Sequence, residues 1–120
     1  MTASTAIVPS TGQMILDVEE LRHPDAVSGA TIQEQFDEFH RLNPSVLANL
    51  ETLTTDYLRR GRKRVGIGML FEVLRWQHDL ATRGDAFRLN NNYRSRYVRL
   101  MLARHPEWEC AFHTRELAAA

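Results

Sequence analysis

The stretch "IGMLFEVLRWQHDLA", residues 67 to 81, limits the possible folds more than any other part of the chain. Placed at about 100° per residue, Ile67, Met69, Leu70, Phe71, Val73, Leu74, Trp76, Leu80 and Ala81 cover more than half of a helix's circumference. Only Gly68, Glu72, Arg75, Asp79 and Thr82 are left as a narrow polar stripe. A helix of this kind, from about Ile67 to Thr82, needs neighbours on most sides, so it is expected to be central and largely buried. Glu72, Arg75 and Asp79 have the spacing of mutual ion pairs. Trp76 falls at the edge of the apolar arc, where it either closes the core or makes an external contact.

The neighbours are also legible. "TIQE" at 31 to 34 is a capping box, in which the Thr31 hydroxyl and the Glu34 side chain satisfy each other's backbone amides. Ile32, Phe36 and Phe39 then share one helical face. Asn43-Pro44 ends that helix and opens the next, with asparagine as N-cap and proline in the first turn. Val46, Leu47, Leu50, Leu53, Tyr57 and Leu58 stripe the second helix, and Gly61 suits its C-terminal cap. Gly84 ends the central helix. A fourth helix is expected from about Asn92 to Arg104, with Tyr93, Tyr97, Leu100 and Met101 inward and Pro106 as its stop.

"AFRL" at 86 to 89 and "CAFHTREL" at 110 to 117 alternate enough to pair as a two-stranded ribbon. The expected fold is therefore mainly α: a four-helix compact domain over residues 31–117, winged-helix-like if the ribbon forms. Residues 1–30, rich in Ser, Thr and Ala, read as a flexible N-terminal arm with a short helical turn in "DVEELR", and 118–120 as a tail.

The N-terminus has no basic residue before Arg22, and no stretch approaches the apolar length of a membrane span. One cysteine, Cys110, excludes an intrachain disulfide. A cytoplasmic protein without membrane association is the expectation.

Catalytic chemistry finds little footing. The Cys-x-x-His pair Cys110 and His113 lacks a second pair, and in a strand the two side chains would face opposite ways. A buried thiol is the simpler account of Cys110, as a hydrogen-bonded core histidine is of His78. The acidic residues are dispersed, and Gly66 and Gly68 lack the rest of a phosphate loop. No metal, no cofactor and no enzymatic activity are expected.

The basic residues are more informative. The formal net charge of zero hides a balance of −7 over residues 1–57 and +7 over 58–120. Of the fifteen basic residues only Lys63 is not arginine, the side chain whose planar fork fits phosphate or carboxylate. "RRGRKR" places Arg59, Arg60, Arg62, Lys63 and Arg64 at the end of the second helix. The helix dipole would account for one or two of these cations; five suggest an anionic partner. A second cluster surrounds "FRLNNNYRSRY": Arg88, Asn91, Asn92, Arg94, Arg96 and Arg99. Asn90 or Asn91 is expected to cap the fourth helix, and the rest of this group to present a binding face from its first turns. Nucleic acid, with duplex DNA in first place, is the expected partner. A host protein, bound through Glu34, Asp37 and Glu38 or through the same arginines, is the alternative.

From about residue 34 to 117 the chain resembles a group of small, largely uncharacterised phage and prophage proteins. They share an Arg-rich turn, "GI..LFEVLRW", "F.LNNNY...Y.RL", a Pro-Glu pair and a terminal "F.TR.L". The matching positions here include Gly61, Arg62, Arg64, Gly66, Ile67, Phe71, Trp76, Asn90, Tyr93, Tyr97 and Arg99. The resemblance implies a DNA-associated or host-modulating phage role, and no particular activity.

Overall fold

Local signals open or close three of the four helices; the stop expected for the third at Gly84 lies outside the described residues. In the computed structural model, which describes residues 5–8, 13–16, 19, 21–25, 27–81 and 89–112, α1 (Ile32–Leu42) begins at the expected capping box. The Glu34 amide donates to Thr31 Oγ1 at 3.1 Å, and the Thr31 amide donates to Glu34 Oε1 at 2.8 Å. Pro44 stands in the first turn of α2 (Pro44–Arg59), and Gly61, with φ of 93°, closes that helix in the left-handed region that favours glycine. α3 spans Ile67–Ala81. A 3-10 turn at Asn91–Tyr93 leads into α4 (Arg94–Arg104), and a second at Pro106–Trp108 follows it.

Asn43 departs from its expected role. It holds the N-cap position of α2, but its side chain is buried and does not cap. Its Nδ2 donates to the Arg22 carbonyl at 2.7 Å and the Phe39 carbonyl at 2.9 Å, while its Oδ1 accepts from the Arg22 amide at 2.7 Å. One amide thereby fastens an upstream strand of backbone to the α1–α2 corner, and Leu21 packs against the core beside it. The chain joins the helical body ahead of Thr31, where the sequence set the boundary. Further upstream, β1 (Thr5–Val8) and β2 (Gln13–Leu16) pair antiparallel, with Thr5 opposite Leu16 and Val8 opposite Gln13. Of the helical turn expected in "DVEELR" only Glu19, Leu21 and Arg22 are described, and they are not helical.

So does most of the expected ribbon. Of its two halves only Leu89 and residues 110 to 112 are described, and they form no strand pair. Phe112 instead makes a single parallel bridge to Val65. Cys110, expected to be buried, is exposed in the turn that precedes this bridge, because Ala111 and Phe112 take the inward positions.

The core gathers on α4. The ring of Tyr97 meets Phe36 of α1 edge-on at 4.8 Å and Phe71 of α3 at 6.1 Å. Met101 Sδ lies 3.9 Å from the Thr54 hydroxyl of α2. Tyr93 adds contacts to Phe36 and Phe39 at 5.4 and 5.2 Å. Such aromatic pairs contribute about 0.5–1.5 kcal/mol each beyond the area they bury. Burial pushes the Tyr97 phenol pKa up, and its hydroxyl has no hydrogen-bond partner among the described residues. The ring therefore accounts for this residue's place in the core.

α3 is less enclosed than its apolar arc implied. Leu70, Phe71, Leu74, Gln77 and His78 are buried, but Met69 is 40% and Trp76 47% exposed. α2 and α4 pack against it, while Met69 and Trp76 stay outside that contact. Among the described residues no helix is long and apolar enough to cross a membrane.

Candidate nucleic-acid interface

The connector between α2 and α3 is held at both ends. The left-handed turn at Gly61 begins it, and the Gly61 amide donates to the Leu58 carbonyl at 3.0 Å. At the far end Val65 is buried, and its amide donates to the Ala111 carbonyl at 2.8 Å. Between these points Arg62, Lys63 and Arg64 are exposed. Neither they nor Arg59 forms an ion pair among the described residues. Arg60 is the exception in the run, its Nε donating to Asp56 Oδ2 at 2.8 Å.

The second basic cluster behaves differently. Arg94 bends back, its Nε donating to the Asn91 carbonyl at 3.2 Å and its guanidinium lying against Gly68. A Cβ at position 68 would lie 3.2 Å from Arg94 Nη1, so Gly68 leaves room for the end of that guanidinium beside the start of α3. Arg96, expected on the outward face, is half-buried. Its Nε donates to Gln33 Oε1 at 3.0 Å and its Nη1 to the Asn92 carbonyl at 3.3 Å, tying α4 to α1. Arg99 is exposed and lies about 140° round the helix from Arg94, away from the connector side. Arg88 is outside the described residues.

The asparagine triplet divides by role. Asn90 is the cap, its Oδ1 accepting from the Asn92 amide at 2.8 Å. Asn91 Oδ1 accepts from Arg75 Nη2 at 2.6 Å, and the same nitrogen donates to the Leu89 carbonyl at 2.6 Å. Glu72 takes the other arm of Arg75 at 2.5 Å. Arg75, read from sequence only as a member of an ion-paired stripe, is thus the fixture that holds the start of α4 to α3. Asn92 keeps an exposed side chain. Sequence reading also missed the junction of α2 and α4, where Glu51 pairs with Arg104 and lies 3.0 Å from His105 Nε2.

One consequence is electrostatic. The first turn of α3 contains no acidic residue, so the positive end of its dipole is uncompensated. Arg94 stands beside it, and the connector with Arg62, Lys63 and Arg64 runs directly into it. Phosphate oxygens are the anions that such amides and guanidinium forks suit best. Residues 23–25 and 27–30, α1 and the Leu89–Tyr93 segment line an open cleft of about 790 Å³. Phe39 and Tyr93 line it, with Asp25, Glu34 and Glu38. No three histidine, cysteine or carboxylate side chains among the described residues are grouped to hold a metal ion.

No protein-family model matches this chain, nor does any curated protein or solved structure. The likeness to phage proteins rests on the sequence pattern alone.

Proposed function

We propose that the protein is a non-enzymatic nucleic-acid binder of the phage type, with DNA as its target, that grips the phosphate backbone. The observation that carries this reading is the approach of Arg94 to Gly68. It joins the two basic clusters of the sequence at the positive end of α3. Arg59, Arg62, Lys63 and Arg64 supply exposed cations beside Arg94. Base reading by the start of α4 has less support, since Asn90, Asn91 and Arg96 are engaged within the protein. Asn92 and Arg99 are the side chains of that face left to reach a groove. In a winged-helix-like arrangement, residues 86–89 and 110–117 would extend this surface.

The test is a binding titration on DNA and RNA, duplex and single-stranded, over a salt series. Affinity is expected to fall with salt, with a log–log slope of about −0.9 per duplex phosphate contacted and about −0.7 per single-strand phosphate. Absence of binding to all of them at low salt would refute the reading. A protein-interaction module that docks on a host enzyme is the second reading, favoured by the carboxylate-rimmed cleft beside α1. In that case Glu34→Gln with Glu38→Gln would abolish partner binding, and nuclease treatment would not.

A further inference from the structure

The exposed face of α3 has no part in the phosphate site just described. Met69 and Trp76 are seven residues apart, so they project within about 20° of each other and about 10 Å apart along the axis. A lone exposed apolar side chain is ordinary. These two are distinguished by what borders them. At the N-terminal end of the face stand Arg62, Lys63, Arg64 and Arg94. Along one flank run Gly68 and Arg75, against which Arg94 and Asn91 are held. In the middle lies Glu72, its charge offset by Arg75.

Among the described residues the positive charge therefore lies at one end, and the rest of the face is aromatic, apolar or internally neutralised. A phosphate backbone is attracted to the basic end only. A base, which is uncharged and flat, fits the remainder. In a duplex the faces of the bases are stacked on one another and unavailable, whereas an unpaired base has a free face for an indole ring.

We propose that α3 carries a stacking strip for single-stranded nucleic acid, with Trp76 taking a base while Arg62, Lys63, Arg64 and Arg94 hold the backbone. The inference rests on the phosphate-binding reading and adds the strand class. Arg75 acts as a positioning residue: its bonds to Leu89, Asn91 and Glu72 keep the flank of the strip in place.

Fluorescence provides the test, because the chain has only two tryptophans and Trp108 is buried. In Trp108→Phe, Trp76 is the sole tryptophan. Titration with oligo-thymidylate at low salt is expected to quench its emission saturably, and a duplex of equal length to leave it nearly unchanged. Trp76→Ala should lose about tenfold or more in single-strand affinity, Trp76→Phe should recover most of it, and duplex affinity should stay the same. Should Trp108→Phe lose its fold, the difference in quenching between wild type and Trp76→Ala gives the same readout.

If oligo-thymidylate binds without quenching and Trp76→Ala binds it as tightly as wild type, the stacking strip is overturned and the phosphate reading survives. Equal weakening of duplex and single strand by Trp76→Ala also overturns the strip. If no nucleic acid binds at all, the phosphate reading fails and the strip falls with it.

Discussion

Two arginine-rich stretches of this chain look alike in sequence and behave oppositely in the fold. Residues 59 to 64 follow a helix end and leave most of their cations facing water. Residues 94 to 99 begin a helix, where carbonyls and neighbouring elements lie within reach: Arg96 turns back onto α1, and Arg94 is held by the Asn91 carbonyl at the edge of the connector. Arginine density alone does not make a binding surface. What decides is whether acceptors of the same chain lie closer than a partner's.

The comparison would break most visibly in the connector. Arg62→Ala, Lys63→Ala and Arg64→Ala combined are expected to weaken nucleic-acid binding more than tenfold at low salt. The salt slope should flatten by about 2 to 3, one unit or slightly less per lost phosphate contact. Thermal stability should hardly change, since these side chains have no partners in the described residues. A fall in stability as large as the fall in binding would contradict the contrast.

Arg75→Ala tests the opposite kind of arginine. It leaves the Leu89 carbonyl and Asn91 without their donor, and the cost is expected to be about 1–3 kcal/mol in denaturant unfolding. Arg75→Lys should recover little, because an ammonium cannot reproduce the planar fork. Arg96→Ala should cost less, about 0.5–1.5 kcal/mol for its bond to Gln33, and should leave binding nearly intact. Arg99→Ala serves as its control, with no effect on stability. If Arg96→Ala were instead to reduce binding and spare stability, the outward face expected from sequence would be restored.

The smallest effect concerns pH. His40 stacks on Phe36 at 5.9 Å, and burial lowers its pKa, assisted by Arg104 and opposed by Asp37. The folded state therefore favours neutral imidazole, while the unfolded chain takes up a proton near the ordinary value of about 6.5. Stability contributed by His40 is complete above that value and declines as pH falls through it toward the lower folded pKa. Urea midpoints at pH 7.5 and 5.5 should differ less in His40→Gln than in wild type. An identical difference in both would exclude His40 as a contributor.

What the sequence disclosed and what it concealed follow a physical division. The Thr31–Glu34 box, Pro44, Gly61 and the Asn90 cap depend on neighbours within one turn, so spacing reveals them. The inward set Tyr93, Tyr97 and Met101 follows from helical periodicity. Hidden from such reasoning were polar contacts between distant segments: Asn43 with Arg22, Arg75 with Leu89 and Asn91, Arg96 with Gln33, Glu51 with Arg104. They have no period, and each depends on how helices are docked. Met69 misled for a related reason, because an apolar arc records what a helix can bury and not where its neighbours stop. The β1–β2 pairing had a weak signal, two short runs rich in Ile, Val, Met and Leu around Pro9 and Gly12, within a composition that suggested an arm.

The bond from Val65 to Ala111 also sets an order of events during synthesis. The basic loop leaves the ribosome well before the carbonyl that fastens its far end, 46 residues later. Until Ala111 and Phe112 have been added, a nascent chain carries the cations without the geometry that aims them. The proposed phosphate grip would thus be among the last features of the fold to be completed, and a chain stopped short of Ala111 would keep these cations and lose the bond that holds their far end.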